Sequence, residues 1–143
     1  MTIQTILVAT DGSANGSAAV AAAGTLAKQC DARVLAVHVF EPLALLGHVP
    51  PPVDFAAHAR HAEELLASDW TASLTKLGVE FDSEVVEGKP SDAIVAAAID
   101  AKADLIVVGA RGLSPLEQLL VGSTTQALLE EAPCPVVVVP ARS

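Results

Sequence analysis

An open α/β sheet of five mostly parallel strands, with helices on both faces of a single domain, is the fold class this sequence predicts. Three observations point there. Apolar, β-rich runs recur at Thr5–Thr10, Arg33–Phe40, Glu80–Glu87, Asp104–Val108 and Val136–Val139, and segments of helical composition separate them. Such alternation favours parallel strands joined by right-handed crossovers. The chain has 143 residues, 52% of them hydrophobic and only 3% aromatic. That length suits one core, and the core must be built of Val, Leu, Ile and Ala, side chains that let helices lie close on a sheet.

The elements follow in order. After the first strand, Asp11-Gly12-Ser13 forms a turn and Ser13 is placed to cap an alanine-rich helix over Ala14–Gln29. A second helix is expected over Asp54–Leu77, with Gly78 as its C-cap. Lys89-Pro90-Ser91 opens a third helix that runs to about Ala101, with proline in its first turn. Ser114–Leu120 reads as a short helical turn, and Ser123–Glu131 as the last helix. The segment Glu41–Val53, EPLALLGHVPPPV, is a long proline-rich connection.

The densest chemical signal is GARGLSPLEQLLVGSTTQALLEE, Gly109 to Glu131. Gly109 sits where a buried strand must turn away from the sheet, and Gly112 follows it. After nine intervening residues Gly122-Ser123-Thr124 stands at the start of a helix. Glycines let backbone N–H groups approach a ligand closely, and a helix N-terminus offers unpaired amides and a partial positive charge. The arrangement is that of an anion cradle, with nucleotide phosphate as the expected guest. In such sheets ligands sit beyond the carboxyl ends of the strands where the strand order reverses. Asp11 and Gly109, ending the first and fourth strands, are the pair expected at that crevice. Asp11 would be costly to desolvate without a partner, or would act as a helix cap through the Asp11-Gly12-Ser13 turn. Arg111 is the one cation within the loop and would either neutralise phosphate at the rim or merely solvate the loop.

Other chemistries are disfavoured. No G-x-x-x-x-G-K-[ST] occurs, so no lysine is placed to stabilise a transferring γ-phosphoryl group. TDGSANGS is not the G-x-G-x-x-G of a dinucleotide dehydrogenase. His58 and His61, three apart with Glu64 beyond, permit a metal site but read better as an exposed polar helix face. His38 alternates with apolar neighbours and reads as a half-buried structural histidine. The net charge of −9 argues against nucleic acid or anionic membrane as partner. Cys30 and Cys134 are too few for a disulfide framework, and no apolar run is long enough to span a bilayer, which together suggest a soluble protein of a reducing cytoplasm.

The spacing of Gly109, Gly112 and Gly122-Ser123-Thr124 resembles the nucleotide-binding signature of the universal stress protein family, in its ATP-binding, glycine-motif branch. TILVATDGS at Thr5 to Ser13 and APCPVVVVP at Ala132 to Pro140 resemble that family's first and last strands. The resemblance implies a Rossmann-like, adenine nucleotide alpha hydrolase-like fold and a nucleotide-dependent stress-response or signalling role. It implies ATP, or AMP or ADP, as ligand, with Mg2+. Gly109 would lie against the ribose; Gly112 and Gly122 would offer amides to phosphates, joined by Ser123 and Thr124; Asp11 would meet the ribose hydroxyls or a phosphate-bound metal. Val39 would offer its backbone to the adenine edge, with Ala9 and Val108 completing the expected site. It further implies a homodimer around Val136–Val139, a run whose strong β-propensity at a sheet edge already invites pairing. A slow metal-dependent ATPase or phosphotransfer enzyme, and a nucleotide-free interaction module, are the competing readings.

Overall fold

A computed structural model describes residues 1–110 and 122–140. The described elements are β1 (Thr5–Ala9), α1 (Ala14–Cys30), β2 (Arg33–Phe40), α2 (Pro42–Leu45), α3 (Phe55–Ala67), α4 (Ala72–Leu77), β3 (Phe81–Glu87), α5 (Pro90–Ala101), β4 (Leu105–Gly109), α6 (Ser123–Glu131) and β5 (Val136–Val139). The strands make one five-stranded sheet in the order β3-β2-β1-β4-β5, with every pairing parallel. The expected α/β class holds. Arg111, Gly112 and the helical turn expected at Ser114–Leu120 lie outside the described residues.

Alternate residues of a strand point to opposite faces, and the two faces carry separate cores. Ile6, Val8, Val34, Ala36, Leu105 and Val107 face α1, α3 and α4, where Ala19, Val20, Ala23, Leu66 and Leu74 meet them. Leu7, Val37, Ile106 and Val108 face α5 and α6, packing with Ile94, Ala98 and Leu128. The central strands β1 and β4 are covered on both sides, which is why their sequences are unbroken apolar runs. Each fully covered Leu or Ile contributes about 1.5–3 kcal/mol through burial.

The expected helix Asp54–Leu77 is two helices. Between them the Ser68 hydroxyl donates to the Glu64 carbonyl at 2.7 Å, the Trp70 amide donates to Leu65 O at 2.9 Å, and the buried Thr71 hydroxyl donates to Leu66 O at 2.7 Å. Ser and Thr side chains thus take carbonyls that a continuous helix would use for its own ladder. Gly78 ends α4 in the left-handed region at φ 73°, with its amide on the carbonyls of the last turn. The proline-rich connection after β2 is not wholly irregular, since Pro42 starts the short α2. Among the described residues no helix is long and apolar enough to cross a membrane.

From β1 the chain winds outward through β2 to β3, then crosses back by α5 to β4 on the other side of β1. The strand order therefore reverses between β1 and β4. Their carboxyl ends part to open a crevice there.

Candidate functional site

The turn after β1 is fixed by its own polar groups. The Thr10 amide donates to Val37 O at 3.0 Å, and the buried Thr10 hydroxyl accepts the Gly12 amide at 3.2 Å. Gly12 takes φ 80°, a conformation that L side chains rarely adopt. Ser13 caps α1 as expected, its hydroxyl accepting the Gly16 amide at 3.2 Å. Asp11 differs from expectation. β1 ends at Ala9, and the Asp11 side chain is exposed, with Oδ1 accepting the Ser13 amide at 3.0 Å. Its carboxylate is not desolvated; it stands at the mouth of the crevice and leaves the capping to Ser13.

A cleft of about 380 Å³ opens between the carboxyl ends of the strands. Ala9, Asp11, Val39, Val108, Gly109, Gly122 and Thr124, all expected from the sequence, line it. Ser123, the first residue of α6, is exposed beside Gly122 and Thr124. Gly109 does not form the expected sharp turn: it stays in the ladder opposite Val139, and the Ala110 amide still donates to Val139 O at 2.8 Å. Its lack of a side chain has another cause. A Cβ at Gly109 would stand 2.7 Å from the Asn15 carbonyl oxygen in the first turn of α1, so the strand end and the helix meet backbone to backbone.

Three helices start at this cleft. Ser13, Asn15 and Gly16 bring the N-terminus of α1, Pro90 that of α5, and Gly122 and Thr124 that of α6. Each N-terminus carries a partial positive charge on amides without intrahelical partners. Those of α1 are partly satisfied by Ser13, whereas the N-cap of α6 is Gly122 at φ −62°, and among the described residues no side chain caps it. Any residue tolerates that φ, so the glycine leaves space at the helix mouth rather than an unusual backbone. Among the described residues the charged side chains lining the cleft are Asp11 and Glu41, and no Lys or Arg joins them. Among the described residues, donors for an anion would therefore be main-chain amides.

Several lining residues carried no signal in the sequence analysis. Thr10, Asn15, Pro90, Ile94 and Thr125 all face the cleft; the buried Thr125 hydroxyl donates to the Gly109 carbonyl across 3.5 Å, a long contact that ties α6 to β4. Thr125 extends the Ser123-Thr124 run, and Asn15 falls one turn after Asp11, so adjacency to the motif was the available clue. His38 is half-buried as expected, with Nδ1 3.0 Å from Thr10 O. His58, His61 and Glu64 lie exposed on α3, on the sheet face away from α5 and α6. Among the described residues no group of three or more His, Cys, Asp or Glu is placed to hold a metal ion.

The fold and the cleft define an α/β protein with a crevice at the reversal point of a parallel sheet. Residues 2–140 match the Universal stress protein family, and the chain belongs to that family. It is 40% identical over 137 residues to a universal stress protein of Thermus aquaticus, with 95% of this chain and 98% of that protein covered. The solved universal stress protein UspA from Lactobacillus plantarum superposes with a TM-score of 0.78 at 29% identity, covering 97% of this chain and 99% of that one. A universal stress protein solved in complex with cAMP gives a TM-score of 0.71 at 26% identity, covering 97% and 98%.

Proposed function

We propose that the cleft binds an adenine nucleotide, ATP with Mg2+ or its mono- or diphosphate, and that occupancy makes the chain a nucleotide-dependent module of stress response or signalling in the cytoplasm. One observation carries this reading: α6 opens into the cleft beside Gly109 and Asp11, where a phosphate chain would find the main-chain amides of a helix N-terminus. The relative solved with cAMP supports an adenine-bearing ligand. A volume of about 380 Å³ suits such a molecule, since ligand clefts run from about 300 to 1,000 Å³.

In this reading the Val39 backbone meets the adenine edge, and Ala9 and Val108 supply apolar walls. Gly109 borders the ribose, and the amides of Gly122, Ser123 and Thr124 take the phosphates. Arg111 and Gly112 complete the phosphate side by the family's pattern. Mg2+ is commonly held by one or two carboxylates together with substrate phosphates. Asp11 fits that need: its Oδ1 is engaged by Ser13, which leaves Oδ2 for a cation. The place of β5 at the end of the strand order supports a homodimer through Val136–Val139, and the net charge of −9 supports a partner other than nucleic acid or membrane.

Mass spectrometry of acid-released small molecules from the purified protein, followed by calorimetric titration with ATP and Mg2+, tests the reading. Copurified adenine nucleotide, or saturable ATP heat that disappears in folded Gly109→Val, is the expected result. A protein that carries no nucleotide and shows no heat with millimolar ATP, ADP, AMP or cAMP would reject it.

A further inference from the structure

We propose that Trp70 and His38 are positioning residues of the nucleotide site, holding the Thr10–Gly12 turn so that Asp11 projects at a fixed place in the cleft mouth. This deepens the nucleotide-binding reading and rests on it.

The chain has a single tryptophan, and the break between α3 and α4 places it. The Trp70 amide is tied to Leu65 O, and the fully buried Thr71 next to it is tied to Leu66 O, so the backbone carrying the indole is anchored on both sides. The ring is half-buried and does two things. It meets the His38 imidazole edge to face, with centroids 5.2 Å apart and planes at 67°. It also covers Gly12: a Cβ there would stand 2.5 Å from the indole Nε1 and 2.7 Å from Cζ2. Edge-to-face pairs of this spacing are attractive beyond their buried area.

His38 completes the support from β2. Its Nδ1 lies 3.0 Å from the Thr10 carbonyl oxygen, and a carbonyl only accepts, so Nδ1 carries the proton and donates. Thr10 is thus held by the imidazole and Gly12 by the indole. Asp11 lies between them, exposed, with Oδ1 on the Ser13 amide. The position of its carboxylate is set by the backbone on either side. A binding group must be held within about 0.5 Å of its productive place by the residues behind it. Trp70 belongs to the layer of α3 and α4 and does not line the cleft, so its effect on a ligand passes through Gly12 and His38.

The test is calorimetric titration of ATP with Mg2+ into the wild-type chain and into Trp70→Leu, Trp70→Phe, His38→Phe and His38→Gln, each checked by thermal melting. Tryptophan emission is followed in the wild type and the His38 variants. The wild-type emission should change on ATP addition with the calorimetric midpoint. Trp70→Leu should bind at least tenfold more weakly, and Trp70→Phe, which keeps an aromatic ring against His38, should recover most of that loss. His38→Phe, with no donor for Thr10, should also lose about tenfold, and His38→Gln, whose amide can donate, should recover it. A merely structural role would lower the melting temperature in all four without this pattern of loss and rescue. Should Trp70→Leu fail to fold, the His38 pair and the emission change decide. Wild-type affinity in all folded variants, or emission unchanged at saturating ATP, would overturn the proposal while leaving nucleotide binding intact. A wild type that gives no heat at all would instead remove the nucleotide reading itself, and this proposal with it.

Discussion

The Asp104 carboxylate and the Thr5 amide meet at 3.1 Å although 99 residues separate them in sequence. The same oxygen accepts the Gln4 amide at 2.9 Å, while the Asp104 amide donates to Thr5 O at 2.8 Å. This clip joins the amino ends of β1 and β4, the two strands whose other ends form the cleft. Asp104→Ala should cost about 2 kcal/mol, since hydrogen bonds to charged groups contribute about 1.5–3 kcal/mol each and this pair is partly solvated. Asp104→Asn, which keeps an acceptor, should cost less. Urea unfolding measures both, and an unchanged midpoint in the alanine variant would show that the clip contributes nothing.

Gly109→Ala should damage stability and ligand binding together. The added methyl would stand 2.7 Å from the Asn15 carbonyl oxygen, and backbone cannot swing aside as a flexible side chain does. Overpacking of this kind costs about 1–3 kcal/mol. A melting temperature within a degree of wild type, with full ATP affinity, would mean that α1 and β4 separate freely.

The parallel sheet, its strands to within a residue at their ends, and the last helix are legible in the sequence because long apolar runs and capping residues are local signals. Ser13 could be read as the α1 cap from its place before an alanine-rich run. The break at Ser68–Thr71 could not be read that way: it depends on hydroxyls choosing carbonyls four and five residues back, and on where Trp70 finds a partner on β2. The exposure of Asp11 escapes local reading for a related reason. Burial of the strand suggested burial of the residue following it, whereas the turn brings its carboxylate out to solvent. Asn15 and Thr125 face the cleft only because three helices converge, and no spacing within one segment encodes convergence.

The two thiols should differ in reactivity. Cys30 is exposed, while Cys134 is half-buried, and burial first, with the nearby Asp104 charge second, raises its pKa above the ordinary 9.0. The thiolate is the nucleophile, so at pH 8.5 an alkylating reagent should modify Cys30 first and Cys134 slowly. The sign for stability follows: between the ordinary and the raised value the native chain keeps a proton that the unfolded chain releases, so stability falls as pH rises there and is unaffected below. Peptide mapping after timed alkylation checks the order, and equal rates would contradict it.

The proposed dimer has a sharper test than charge. The Pro135 and Val139 carbonyls accept the amides of Ile106 and Ala110, so by the two-residue period of a strand Val136 and Val138 turn their own amides away from β4. Val138→Pro removes one outward donor and leaves the inner ladder whole, a place where a strand tolerates proline. Light scattering at micromolar concentration should show a dimer in the wild type and a folded monomer in the variant. A monomeric wild type, or a dimer indifferent to the substitution, would exclude this edge.

The inner face of α1 is made of Gly16, Ala19, Val20, Ala23, Gly24 and Ala27, and at Gly24 an added Cβ would already come within 2.9 Å of Leu77 and 3.0 Å of Leu74. Gly24 thus sets how closely α1 meets α4, the alanines set how closely it lies on the sheet, and its first turn is the wall that faces Gly109. Cleft width is in this sense a core dimension. Enlarging one alanine three turns from the crevice would lift that wall, so the width of the cleft depends on buried small residues as well as on those that line it.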